Sequence, residues 1–133
     1  MRPVDVNGIN KVAGEQYHIL YNDVYGVRAT SLRLTNTYGP GQLVKHSRQG
    51  FIGWFIRTVT EGGEIQVYGD GRQARDLNFV EDVVEAFLLA GASEAANGRI
   101  YNLAAEPPVP LAELARQLVE LAGKGSVRHV PWP

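Results

Sequence analysis

Arg75 lies in the run Gly69-Asp70-Gly71-Arg72-Gln73-Ala74-Arg75-Asp76-Leu77-Asn78-Phe79-Val80-Glu81-Asp82-Val83-Val84. The run reads as a glycine turn, a short β-like segment and the start of an amphipathic helix. A guanidinium beside the mouth of a helix suits a phosphate, because its planar fork meets two oxygens at once where lysine offers a point charge. The same spacing also fits a surface hairpin followed by a helix. A second stretch, Thr35-Asn36-Thr37-Tyr38-Gly39-Pro40-Gly41, reads as a turn-rich loop at a strand end. In an open α/β sheet, ligands bind beyond the carboxyl ends of the strands, where this loop is expected. His18, His46 and His129 are scattered without ligand spacing, and no metal site is read.

The balance of residue types narrows the function classes. A chain of 133 residues allows one domain with a core but is short for a complete cofactor enzyme. Hydrophobic residues at 44% and charged residues at 20% are ordinary for a soluble globular protein. A net charge of −1 without a basic block gives no support for nucleic-acid binding. No apolar run reaches membrane-spanning length, and no positively charged n-region precedes an apolar signal segment, so no membrane partner is expected. Cysteine is absent, which excludes disulfides and thiolate metal sites and fits a cytoplasmic protein.

The elements that must position these residues alternate between helix and strand. Apolar spacing of three and four from Ile9 to Val24 predicts a helix over 7–25, about 28 Å long at the usual rise per residue. Asp5 or Asn7 is placed to cap its start and Gly26 to end it. Residues 27–34 follow as a strand, and 42–49 read as polar and irregular. A second helix is predicted over 50–61 and a short strand over 65–68, turned by Gly69-Asp70-Gly71. Leu77 and Phe79 mark another strand, and Val80 opens a third helix whose Glu81 and Asp82 favour the positive end of its dipole. A strand over 100–103, a fourth helix over 111–122 with Leu111, Leu114, Ala115, Leu118 and Leu121 inward, and a strand over 127–130 complete the chain. This alternation places the fold in the α/β class.

Three stretches then fall in one order: Asn10-Lys11-Val12-Ala13-Gly14-Glu15, Leu32-Arg33-Leu34-Thr35-Asn36-Thr37-Tyr38-Gly39-Pro40, and Gly69 to Val84. Gly98-Arg99-Ile100-Tyr101-Asn102-Leu103 is a weaker fourth. On these the chain resembles the C-terminal portion of an extended short-chain dehydrogenase/reductase, the NAD-dependent epimerase/dehydratase family of nucleotide-sugar enzymes. The resemblance implies part of a Rossmann-like fold, a partial parallel sheet with helices plus a small substrate-binding domain. It implies that residues 1–133 form a single truncated domain, the substrate-binding part, without the dinucleotide-binding part.

Roles follow from the resemblance position by position. Lys11 matches the lysine that holds the nicotinamide ribose and lowers the pKa of a catalytic tyrosine; read without the family it is a solvated helix lysine. Asn36 matches an asparagine near the diphosphate and sugar, Arg75 an arginine that grips the nucleotide diphosphate, and Tyr38 part of the loop that shapes the substrate site. Glu15 reads as a helix or packing residue and Asp76 as an orienting partner within its loop. The implied reaction is reversible hydride transfer between a nucleotide-diphosphate sugar and NAD, an isomerase or lyase chemistry, with UDP-, dTDP-, GDP- and CDP-sugars all open. Two departures weigh against turnover by this chain. Asn7 stands four residues before Lys11, where the family has its tyrosine, and asparagine does not ionise. No glycine-rich dinucleotide turn follows a strand, so NAD is expected only in the parent protein and not on this chain. The alternative is a non-catalytic binding module of the same fold. The family's use of the corresponding helix in a dimer implies a homodimer through residues 7–25.

Overall fold

The computed structural model describes residues 2–45, 50–105 and 107–133. Of the irregular stretch expected over 42–49, residues 46–49, His46 included, lie outside the described residues. The chain forms two compact units, each assembled from two separate runs of sequence.

The first unit comprises Met1–Leu34 with Glu81–Leu103. It holds helix α1 (Val6–Tyr25) and strand β1 (Ser31–Leu34), and from its second run helix α3 (Val80–Ala92) and strand β6 (Ile100–Leu103). Asp5 caps α1, its carboxylate accepting from the Gly8 amide at 2.6 Å, and Gly26 closes it in the left-handed conformation with φ 66°. β1 and β6 pair in parallel, Ser31 opposite Ile100 through Leu34 opposite Leu103.

The strand begins later than the expected residue 27. Between 27 and 29 the backbone is committed elsewhere: Asn22 Nδ2 donates to the Val27 carbonyl, the Ala29 amide donates to Asn97 Oδ1, and the Ala29 carbonyl accepts from the Gly98 amide. Apolar residues Tyr17, Leu20, Tyr21 and Val24 line one exposed stripe of α1, and Val84, Phe87, Leu88 and Leu89 of α3 are exposed as well.

The second unit comprises Thr35–Val80 with Ala104–Pro133. Its elements are β2 (Asn36–Tyr38), α2 (Phe51–Thr60), β3 (Glu64–Tyr68), β4 (Ala74–Arg75), β5 (Leu77–Phe79), β7 (Val109–Pro110), α4 (Leu111–Ala122) and β8 (Ser126–Val130). β3 pairs in parallel with β8 and β2 with β5, while β4 and β7 run antiparallel. Alternation along β3 sends Ile65 and Val67 inward, each 1% exposed, against Phe55 and Val59 of α2 and Ala115 of α4. Leu121 corrects the expected inward face of α4: it is 85% exposed, while Leu111 and Ala115 are buried. Pro110 offers α4 no side-chain cap, so the helix's first amides go instead to the turn before β4, Leu111 to the Gln73 carbonyl and Ala112 to the Gly71 carbonyl. These two bonds seat the glycine turn on the end of α4.

Candidate functional site

In the second unit the stretch expected as a loop contains a strand. β2 runs through Asn36-Thr37-Tyr38 beside β5, Asn36 opposite Leu77 and Tyr38 opposite Phe79. The turn signals of Gly39 and Pro40 end this strand rather than replace it. Tyr38 is half-buried, its ring edge-on to Phe79 at 5.6 Å between centroids. Gly39, at φ 150°, lies so close to Val80 that a side chain there would meet its methyl group.

Asn36 and Arg75 are brought together through the residue between β4 and β5. The Asp76 carbonyl accepts both from the Asn36 backbone amide at 3.2 Å and from Asn36 Nδ2 at 3.1 Å. The Asp76 carboxylate accepts from the Ala105 amide at 2.8 Å. Arg75 is exposed, its backbone in register with Val109 and its Nη1 donating to the Ala74 carbonyl at 3.0 Å. Arg28, Arg33, Arg57, Arg72, Arg116 and Arg128 each pair with a carboxylate; Arg75, like Arg2 and Arg99, pairs with none among the described residues. No described carboxylate therefore neutralises its charge.

Polar groups behind this site went unread in the sequence. Asn78 is 4% exposed and its Nδ2 donates to Thr35 Oγ1 at 2.7 Å, a link between β5 and the residue before β2. Thr37 Oγ1 is buried and has no hydrogen-bond partner among the described residues. An Asn flanked by Leu77 and Phe79 in an apolar strand was the available signal, since a polar group in such a place requires a partner.

Lys11 and Asn7 stand in the first unit, exposed and one turn apart on α1. One turn beyond Lys11, Glu15 binds Arg33 of β1 through two bonds of 2.7 and 2.8 Å. The hydrogen bonds from Arg33 hold the Glu15 carboxyl below its ordinary value, and those to Glu15 hold the Arg33 guanidinium above its own. Glu15 thus ties α1 to β1. Arg33 was passed over because its partner lies on another element, although a charge between two leucines of a strand asks for one.

The strand-to-helix junctions test whether a dinucleotide fits. A pyrophosphate needs a glycine turn whose amides, with those of the following helix, stay open. α3 follows β5 without an intervening glycine and carries Glu81 and Asp82 in its first turn. α4 has spent its first amides on Gly71 and Gln73 and carries Glu113 there. Among the described residues neither of these two junctions fits the pyrophosphate. Nor do three or more His, Cys, Asp or Glu side chains gather as a metal site. Among the described residues no helix is long and apolar enough to cross a membrane.

A model of the NAD dependent epimerase/dehydratase family matches residues 1–104. UDP-glucose 4-epimerase of Mycolicibacterium smegmatis is 34% identical over 103 residues, 77% of this chain and 32% of that protein. UDP-N-acetyl-alpha-D-glucosaminuronate decarboxylase of Bacillus cytotoxicus is 36% identical over 108 residues, 80% of this chain and 33% of that protein. The crystal structure of UDP-glucose 4-epimerase from Thermotoga maritima with UDP-glucose matches at a TM-score of 0.89 and 30% identity. That match covers 99% of this chain and 41% of that one. The chain spans about a third of the length of these two curated relatives.

Proposed function

The chain belongs to the NAD dependent epimerase/dehydratase family, and from that premise we propose that it is the substrate-binding portion of a nucleotide-sugar epimerase or dehydratase. The observation that carries this reading is Arg75, an exposed guanidinium that no carboxylate among the described residues neutralises. An unpaired fork of this kind takes two oxygens of a diphosphate at once. Asn36, held by the Asp76 carbonyl through its Nδ2, keeps its amide oxygen for a hydroxyl of the same ligand. Tyr38, packed on Phe79, shapes the wall of the site. Lys11 contributes a cofactor contact in the whole enzyme, and no NAD binding is expected of the chain by itself; the acids and spent amides at the starts of α3 and α4 support this. It performs no turnover alone. Asn7 supports a second reading, a binding module without catalysis, because it puts a neutral amide where the family's acid/base stands.

Calorimetric titration with UDP and dTDP, beside Arg75→Ala and with NAD as control, tests this reading. Weak nucleoside-diphosphate binding that disappears in the variant is expected, with no heat from NAD. A folded sample that binds neither nucleotide, or binds equally without Arg75, removes the assignment. The α1 stripe of Tyr17, Leu20, Tyr21 and Val24 supports self-association through that helix. Sedimentation equilibrium is expected to show a dimer that Tyr21→Lys converts to monomer; a monomeric parent chain would refute it.

A further inference from the structure

The nearest carboxylate in sequence to Arg75 is Asp76, the natural group to neutralise it, yet the two do not form an ion pair. Asp76 Oδ1 is engaged instead by the Ala105 amide at 2.8 Å, on the chain following β6. The Asp76 backbone is fixed independently, its carbonyl accepting twice from Asn36, and Arg75 is held in register with Val109. With the backbone pinned on two sides, the bond from the Ala105 amide is what holds the Asp76 carboxylate among the described residues. A carboxylate released from that bond would sit one residue from an exposed guanidinium and compete with any anionic ligand for it.

We propose that Asp76 is a positioning residue whose carboxylate the Ala105 amide holds away from Arg75, keeping the guanidinium available to a nucleoside diphosphate. This rests on the assignment of Arg75 to the diphosphate. It makes an unusual ordering of variants. Asp76→Asn keeps an acceptor for Ala105 and removes the competing charge. Asp76→Glu keeps the charge but displaces it by one methylene from the Ala105 amide. The chemically conservative replacement is therefore the damaging one.

The test is calorimetric titration of the full chain with UDP at low ionic strength. Asp76→Glu is expected to weaken binding about three- to fivefold, the scale of one exposed ion pair, and Asp76→Asn to stay within about twofold of the parent. Ala105→Pro deletes the amide donor from the other side of the bond. It is expected to weaken UDP binding like Asp76→Glu and to be restored by adding Asp76→Asn. A purely structural role for Asp76 would give no such restoration. Equal binding by Asp76→Glu and the parent, or weaker binding by Asp76→Asn than by Asp76→Glu, overturns the inference while leaving Arg75 in place. Loss of Arg75 dependence in the parent overturns the diphosphate assignment, and the inference with it.

Discussion

Replacing Gly71 by alanine should damage this protein more than most single methyl groups can. Gly71 is buried and left-handed at φ 70°, a backbone region that costs an L-residue about 1–2 kcal/mol. An added Cβ would lie 2.6 Å from Ala112 Cβ and 2.8 Å from Val67 Cγ1. Neither neighbour can yield: Ala112 has no side-chain torsion to turn, and Val67 is sealed in the core. The turn cannot retreat either, because its Gly71 carbonyl accepts from the Ala112 amide at 3.1 Å. Overpacking of this kind adds about 1–3 kcal/mol, for a total loss of about 2–5 kcal/mol. That is a large share of the ~5–15 kcal/mol that holds a typical domain together. Equilibrium urea unfolding followed by far-ultraviolet circular dichroism measures it. Gly91→Ala is the control, since Gly91 lies in α3 with open space around it and should gain up to about 1 kcal/mol. A Gly71→Ala loss below about 1 kcal/mol would mean that the turn relaxes freely, and the reasoning would fail.

Two more outcomes are open to measurement. Thr37→Val should raise stability by about 1 kcal/mol, because it removes a buried hydroxyl without a partner and keeps the β-branched shape; a lower urea midpoint would show that the hydroxyl is bonded. Glu15→Gln should destabilise above the unfolded carboxyl value of about 4.3, where the Arg33 pair is fully charged. Because the folded carboxyl lies lower than the unfolded one, that contribution is lost as pH falls through the folded value. Urea midpoints of parent and variant should therefore draw together as pH falls through the acid range, and a gap of constant size across that range contradicts the assignment.

What was legible in the sequence had local causes. Asp5 and Gly26 mark the ends of α1 because caps act within a turn of themselves, and Gly123 closes α4 in the same left-handed manner. Helices α1, α2 and α4 emerged within a residue of the expected bounds, and α3 opens at Val80 as expected. The misses had distant causes. β1 starts at Ser31 because Asn22 and Asn97 take the preceding backbone, and Asn97 is far along the chain. β2 went unread because three residues before a Gly-Pro turn carry too little pattern, and its partner β5 is remote. Leu121 shares the spacing of Leu114 and Leu118 yet faces solvent. At the site, residue types pointed to Arg75 and Asn36, but their connection runs through the Asp76 carbonyl, a group that every residue possesses.

The strand pairings carry a kinetic consequence. Ser31 waits for Ile100 and Glu64 for Ser126, and each compact unit needs a second run of chain that follows the first run of the other. Contacts so far apart in sequence slow folding, because loop-closure entropy is spent before the pairing repays it. On a ribosome adding about 5–20 residues per second, β1 emerges several seconds before β6 exists to meet it. During that interval the backbone edge of β1 that Ile100–Leu103 will pair with is open. A nascent chain of this protein should therefore lean on a holding chaperone longer than a hairpin-built protein of equal length.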